Sequence, residues 1–276
     1  MWKIARRGQR TTSRADVLPS PNIWYYPDTY ELENRAQDVE GDIWRVLAGE
    51  CPWQGKDVLD VGCGDGFHLP RFAESARSVI GVEPYEPLVR RAESRVAGLA
   101  SVRVLRGSAQ SIPVPDGSVD IVHARTAYFF GPGCEPGLRE ADRVLRPGGA
   151  LAIVDLDVSS EPYGRWMRAD LPDYDPAAVD AFFDGQGFRC RRVTAKWRFA
   201  DAESLAAVLR IEFSPEVADR AIEDVLRDNG SRGRHAAGFT VPVGYRVLVR
   251  DKPTGLVLPG HSSSSSSSVS ISPSTA

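Results

Sequence analysis

The alternation of short apolar runs with helical segments over residues 57–158 is the feature that most limits the fold of this chain. Five apolar runs predict strands, at 57–62, 78–84, 102–109, 118–125 and 150–158. Segments with apolar residues at helical spacing lie between them, at 70–76, 87–99 and 135–146. The first, fourth and fifth runs are apolar at nearly every position, as in strands that are covered on both faces. This pattern predicts a doubly wound, mostly parallel α/β sheet.

The segments on either side of this core have a different pattern. Residues 21–54 predict an N-terminal helical cap, in which Asp28 and Glu31 resemble a capping box. Residues 159–251 predict a lid or substrate segment that ends in terminal strands, with Ser214 as the N-cap of its last helix. The predicted helices there are 176–186, 201–212 and 215–228, and the strands are 188–199 and 245–250. The two strands are expected at the sheet edge, at least one of them antiparallel, which makes seven strands in all.

Both ends of the chain predict disorder. Residues 1–20 form a basic, aperiodic arm, and residues 252–276 contain a run of seven serines. Such segments bury too little apolar area to offset the entropy that is lost on ordering. The arm also lacks the long apolar stretch of a secretory signal.

Composition argues against several classes of function. A net charge of −3 provides no general attraction to nucleic acid, and no apolar run reaches the ~18 residues of a membrane span. The four cysteines have no CxxC spacing, and the histidines show no zinc-ligand spacing with them. We therefore expect a cytoplasmic protein with reduced cysteines and with neither a nucleic-acid nor a membrane partner. The basic strand near residue 190 is interpreted as protection of a sheet edge.

The first predicted strand runs into a loop with three glycines, VLDVGCGDGF. Gly62, Gly64 and Gly66 form GxGxG, and glycines at such positions leave room beside the backbone for a ligand. The dinucleotide fingerprint is GxGxxG, and Phe67 stands where its third glycine would be. No GK[ST] follows, so the loop is not a phosphate-binding P-loop. The loop therefore predicts a ligand without a pyrophosphate.

Two acidic residues accompany the loop. Glu83 ends the second strand, 21 residues after Gly62, and neighbouring parallel strands end at the same crevice. A carboxylate there is suited to accept hydrogen bonds from both hydroxyls of a ribose. Asp60 lies inside the first strand, where an unpaired carboxylate is costly. It either pairs with an amine of the ligand or orders the loop, and the sequence leaves both open.

Four motifs in register resemble one family. VLDVGCGDGF, GVEP, GSAQSIPVPDGSVDIVHAR and LREADRVLRPGGALAIVD are similar to motifs of class I S-adenosylmethionine (SAM)-dependent methyltransferases, closest to the small-molecule type 11 group. The resemblance covers residues 55–158. It implies a Rossmann-like methyltransferase fold with SAM as the cofactor and S-adenosylhomocysteine as the product.

The resemblance also implies roles for individual residues. Those expected to contact SAM are Asp60, Gly62, Cys63 and Gly64 at the methionine, Glu83 and Pro84 at the ribose, Ser108 and Ala109 at the adenine, and Ala124 and Arg125 over the methionine end. Position 108 is often Asp in the family, so Ser108 accepts more weakly from the adenine. Tyr25, Tyr26 and Tyr30 either cap the pocket or pack as ordinary aromatic residues.

No residue stands out as a general base. His123 and Asp155 are the candidates nearest the predicted crevice, and Asp157 is a third. Asp155 and Asp157 alternate along a strand and so face opposite sides, which argues against a metal site. His68 is interpreted as structural.

These features predict an enzyme that moves a methyl group from SAM to an O, N or C atom of a small molecule by direct in-line displacement. The alternative is a SAM-binding sensor or scaffold without methyl transfer. A nicotinamide-dependent oxidoreductase is disfavoured by the GxGxG spacing and by Phe67. The acceptor and the oligomeric state are left open.

Overall fold

The computed structural model describes residues 17–128, 131–231 and 238–255. Their strands form one sheet in the order β3-β2-β1-β4-β5-β7-β6. The strands are β1 Asp57–Val61, β2 Ser78–Glu83, β3 Val102–Arg106, β4 Val119–Arg125, β5 Leu145–Leu156, β6 Arg189–Phe199 and β7 Phe239–Asp251. Strands β1 to β5 are parallel, and β7 lies antiparallel between β5 and β6. The predicted doubly wound, mostly parallel, seven-stranded sheet is confirmed.

Helices cover both faces of this sheet. In the described residues they are α1 Pro21–Tyr25, α2 Pro27–Ala36, α3 Asp42–Glu50, α4 Leu69–Ala73, α5 Glu86–Val96, α6 Glu135–Val144, α7 Tyr163–Asp170, α8 Pro176–Gly185, α9 Ala202–Glu212 and α10 Pro215–Ser231. Four of them begin with proline, whose fixed φ and missing N–H suit the first helical position. Helices α1 and α2 precede the sheet and form the N-terminal cap together with α3.

The apolar core is divided by the sheet, because side chains alternate between its faces. On β5, Ala152 and Val154 belong to one core cluster, whereas Leu151 and Ile153 belong to the other. The first cluster packs beneath α3, α4, α7, α9 and α10, and the second packs beneath α6 and α8. The cap therefore lies on the same face as α7, α9 and α10, whereas α8 lies on the other face.

Several local predictions were wrong. Asp28 is the second residue of α2 rather than its N-cap, and its carboxylate pairs with Arg91 at 2.6 Å. Ser214 does lie at the predicted N-cap position, directly before Pro215 at the start of α10, but its hydroxyl donates to Asp170 rather than capping the helix. Helix α6 ends at Val144, and β5 continues through the Pro-Gly-Gly turn that was expected to precede it.

The C-terminal boundary also moves. Lys252 was placed in the disordered tail, yet its ammonium donates to the carbonyl oxygens of Asp142 and Leu145 at 2.6 and 2.7 Å. Its backbone N–H donates to Gly149 at 2.7 Å, which explains the early start of β5.

The predicted disorder of residues 1–16 and 256–276 falls outside the described residues. Within the described part of the chain, no helix is long and apolar enough to cross a membrane.

Candidate cofactor and substrate site

The carboxyl ends of β1, β2 and β4 border a cavity of about 390 Å³. This volume lies in the range of small-molecule sites. Ten of the residues predicted to contact a cofactor line it: Tyr30, Asp60, Gly62, Cys63, Gly64, Glu83, Pro84, Ser108, Ala109 and Arg125. Four predicted residues do not line it: Tyr25, His123, Ala124 and Asp155.

The glycine loop requires its glycines. Gly62 and Gly64 have φ of +72° and +57°, a region that residues with a Cβ rarely adopt. A Cβ on Gly64 would lie 2.8 Å from the Ile23 side chain of α1, and one on Gly62 would lie 3.3 Å from Ala127. The loop backbone is therefore exposed to the cavity with α1 directly over it.

Gly66 has the packing role of the missing third glycine. A Cβ there would lie 3.0 Å from the Ala92 Cβ of α5 and 3.1 Å from its Cα. The loop thus approaches α5 closely, one residue earlier than in the dinucleotide fingerprint. Phe67 lines the cavity, and the Arg95 guanidinium lies over its ring at 5.4 Å.

Glu83 lies at the cavity and is held by backbone groups. Its two oxygens accept from the N–H groups of Gly64 and Tyr85, at 3.1 and 2.9 Å. Burial raises its pKa, and these two N–H groups partly oppose the rise. Each carboxylate oxygen has a second lone pair, so Glu83 is oriented to accept from a ligand hydroxyl as well.

Asp60 pairs with His123. Its Oδ1 lies 2.7 Å from Nδ1 of the imidazole, and both side chains are buried. His123 Nε2 has no hydrogen-bond partner within the described residues, and the ring packs against Phe72 with centroids 4.9 Å apart. Because His123 does not reach the cavity, we interpret it as a residue that positions Asp60 rather than one that meets an acceptor.

Asp155 also lies away from the cavity. It is 0% exposed, opposite Arg246 across the β5–β7 ladder. Burial raises its pKa to about 6, and the charge of Arg246 opposes the rise. Asp155 is therefore a buried titratable group of the sheet with no access to a bound acceptor.

Helix α1 covers the cavity through residues other than those predicted. Tyr25 and Tyr26 are 66% and 55% exposed, because successive residues of a helix point in different directions. Ile23 and Trp24 face inward instead. The Trp24 ring stacks on Tyr85 with centroids 4.3 Å apart and 9° between the planes. This stack links the cap to the loop after Glu83.

Opposite the loop, the cavity wall is polar. Tyr30 and Asn34 lie four residues apart on α2 and so share one face of that helix. Asn22 of α1 also lines the cavity and donates to Glu212 of α9 at 2.6 Å. Sequence analysis missed Asn22 and Asn34. The sequence signal that could have identified them is the helical spacing of polar residues within the aromatic-rich cap.

His68 lines the cavity, although the sequence suggested a structural role. Burial lowers its pKa well below the usual value, and the charges of Arg125 and His123 add to this. The imidazole is therefore neutral near pH 7. Its ring contacts Trp44 and Phe67 edge to face, with centroids 5.5 and 5.2 Å away.

These contacts fit a ligand that has a ribose next to a flexible chain. Residues 59–153 match the family described as "Methyltransferase domain". The 27-O-demethylrifamycin SV methyltransferase of Amycolatopsis mediterranei is 31% identical over 219 residues, which cover 77% of this chain and 79% of that protein. The chain belongs to the class I SAM-dependent methyltransferases. It falls in their small-molecule type 11 group.

Other relatives of this methyltransferase are matched over shorter stretches. An uncharacterised methyltransferase of a Mycobacterium species is 37% identical over 123 residues, 45% of this chain and 47% of that protein. The chain spans less than half the length of most of the curated relatives that it matches. The crystal structure of YcgJ from Bacillus subtilis has the same fold, with a TM-score of 0.52, 22% identity, and coverage of 77% of this chain and 97% of that one.

SAM is the cofactor of this class of enzyme, and the methyltransferase site has residues that fit it. The glycine loop provides a cradle that a Cβ would fill, and Glu83 is oriented for the ribose. Ser108 and Ala109 line the cavity after β3, where the adenine is expected. Within the described residues, no group of three or more His, Cys, Asp or Glu is arranged to hold a metal ion.

Proposed function

We propose that the chain transfers a methyl group from SAM to an oxygen of a small-molecule acceptor. The observation that carries this proposal is the division of the cavity. One half is the glycine loop with Glu83, and the other is a polar wall built from helices outside the family-matched segment. A site for cofactor alone has no need of the second half, which argues against a sensor or scaffold.

The preference for oxygen comes from the relative that matches most of this chain. The Amycolatopsis protein is named for methylation at an oxygen of a demethylrifamycin. Sequence analysis left O, N and C open. A hydroxyl acceptor must lose a proton as the methyl group arrives, so this choice requires a proton acceptor at the cavity.

His68 is the group that we assign to this task. It lines the cavity, and within the described residues its side chain makes no hydrogen bond. It is kept neutral by its lowered pKa, so a nitrogen lone pair is available at neutral pH. Asp60, Asp65 and Glu83 also line the cavity, but their carboxylates are engaged by His123, Arg95 and backbone N–H groups respectively.

The remaining residues bind the cofactor and the acceptor, and they exclude water. Bound SAM supplies an electrophilic methyl group, and the chain must hold the acceptor in line with it. The glycine loop and Glu83 orient the cofactor, while Ile23 and Trp24 cover the cavity and keep solvent out. We also propose a cytoplasmic location, because the cysteines of the described residues are free.

The test is transfer of label from methyl-labelled SAM to a panel of hydroxylated small molecules. We expect product with at least one phenol or alcohol, and His68→Gln is expected to lower kcat about 100-fold, within the usual range for a general base. His123→Asn is the matched control and should act mainly on the KM for SAM, since His123 contacts Asp60. Tight SAM binding without transfer to any acceptor would favour the sensor or scaffold.

A further inference from the structure

On the side of the cavity away from Glu83, one guanidinium makes no ion pair within the described residues. Arg125 ends β4, and its guanidinium donates to Gln37, the residue directly after α2, at 2.7 Å. It also lies over the ring of Tyr245 on β7 at 5.4 Å. Of the described residues that line the cavity, Arg125 is the one Lys or Arg, and no carboxylate of the described chain forms an ion pair with it.

Within the described residues, the nearby acidic side chains form no ion pair with this guanidinium. Asp65 pairs with Arg95 at 2.7 Å, and Asp60 pairs with His123. Glu33 of α2 is buried, and its pKa is raised well above the usual value by burial and then by Glu212. Burial and Glu212 favour the neutral form of Glu33, whereas the charge of Arg125 opposes it. Gln37 lies between the two side chains and donates to Glu33 at 2.7 Å, and within the described residues the guanidinium forms no ion pair of its own.

Two neutral donors lie on the same wall. Tyr30 and Asn34 of α2 line the cavity, and within the described residues neither side chain makes a hydrogen bond. Asn34 is only 7% exposed as a residue, but its amide remains accessible at the cavity, and within the described residues no protein group binds it. Such groups are costly unless a ligand or water satisfies them. Burial keeps the pKa of Tyr30 well above its usual value, so its hydroxyl remains a donor.

The position of these groups separates them from the cofactor half. The sheet order runs β2, β1, β4, β5, β7, with Glu83 on β2 and the glycine loop after β1. Arg125 reaches from β4 in the opposite direction, toward β7 and α2. Tyr30 and Asn34 lie outside the family-matched residues 59–153.

We propose that Arg125, Tyr30 and Asn34 form a subsite that binds a carboxylate of the methyl acceptor. The proposal rests on the proposed function and names its substrate class as hydroxylated carboxylic acids. A guanidinium presents parallel N–H groups that match the two oxygens of a carboxylate, and a charged partner strengthens both hydrogen bonds. Tyr30 and Asn34 donate to the remaining lone pairs.

The experiment titrates six probes into the full chain saturated with S-adenosylhomocysteine. The probes are benzoate, 4-hydroxybenzoate and 4-hydroxycinnamate, with their three neutral amides. We expect at least one acid to bind more tightly than its amide, and Arg125→Gln to weaken that acid about tenfold or more. Tyr30→Phe should weaken it several-fold. Arg90→Gln, an exposed position on α5 paired with Glu86, is the matched control and should have no effect.

Two results would overturn the proposal. One is that no acid binds better than its amide, or that acids bind equally to the wild type and to Arg125→Gln. The other concerns 5′-methylthioadenosine, which lacks the methionine carboxylate. If Arg125→Gln weakens S-adenosylhomocysteine but not methylthioadenosine, the carboxylate belongs to the cofactor and not to the acceptor.

Folding and cofactor binding are checked separately. The melting temperatures of Arg125→Gln and Arg125→Lys show whether an effect comes from a damaged fold, and the Lys variant should recover part of the acid affinity. If the wild type binds no S-adenosylhomocysteine, the proposed function fails. The acid titration into the free protein then still tests the subsite, so the two failures are distinguishable.

Discussion

The two halves of the cavity are built in different ways. The half around Gly62, Gly64 and Glu83 depends on backbone: left-handed glycines, exposed loop groups and a carboxylate held by N–H groups. The half around Tyr30 and Arg125 depends on side chains from a helix and a strand end. A backbone site tolerates few substitutions, whereas a wall of side chains changes its chemistry by single replacements. This difference explains how related proteins can share one kind of cofactor site and still bind different acceptors.

The largest effect is expected from Gly62→Val. The new side chain must adopt a φ of +72°, and its Cβ begins 3.3 Å from Ala127 while its methyl groups enter the space of the cofactor. We expect the affinity for S-adenosylhomocysteine to fall about 100-fold or more, measured by calorimetric titration. Gly49→Ala is the control, since a Cβ at that position of α3 has no neighbour within 4 Å. Normal binding by folded Gly62→Val would remove the loop from the site.

A smaller loss is expected from Glu83→Ala. We propose that the carboxylate accepts hydrogen bonds from the ribose hydroxyls, so its removal should weaken the binding of S-adenosylhomocysteine by about 1–3 kcal/mol. The measurement compares that ligand with its analogue that lacks the ribose hydroxyls, because the substitution should affect the analogue much less. Equal losses for both ligands would mean that Glu83 acts only by holding the Gly64 and Tyr85 backbone.

The smallest effect is expected from Trp24→Ala in the cap. The substitution removes the stack on Tyr85, an interaction of about 0.5–1.5 kcal/mol beyond the buried area. S-adenosylhomocysteine should then dissociate several-fold faster in stopped-flow measurements, while its association rate changes little. Tyr25→Ala, at an exposed neighbouring position, is the control. A loss as large as that of Gly62→Val would show that the cap is part of the cofactor half.

Much of the fold was predictable because its signals are local. Most parallel strands of the core are short apolar runs bounded by glycine or proline, so β1 to β4 lie close to where they were expected, whereas β5 begins earlier, at Leu145. The errors occurred where distant residues compete for a local group. Ser214 donates to Asp170 rather than capping α10, and Lys252 extends β5 through a hydrogen bond to Gly149.

The candidate site was predictable mainly on the cofactor side, although Tyr30 and Arg125 of the other half were also expected to line it. The glycine loop and Glu83 have fixed spacing along the chain, and both reach the cavity. The proposed general base has no fixed spacing from these motifs along the chain. His123 was favoured because it ends β4 near the crevice, yet the chain pairs it with Asp60 in the interior. His68 follows the loop directly but was interpreted as structural, because its approach to the cavity depends on how α4 packs.

The sequence by itself determined most of the sheet and the glycine loop, because these depend on periodicity and on glycines whose backbone geometry no other residue adopts readily. Its resemblance to the methyltransferases implied the cofactor. Only the tertiary structure decided which aromatic residues of α1 face inward and that Asp60 has a histidine partner. It also decided that Arg125 donates to Gln37 at the end of α2 and, within the described residues, forms no ion pair. Those features arise from contacts between segments far apart in the chain. The energy of a buried charge depends on which groups surround it, and the order of residues does not specify those neighbours.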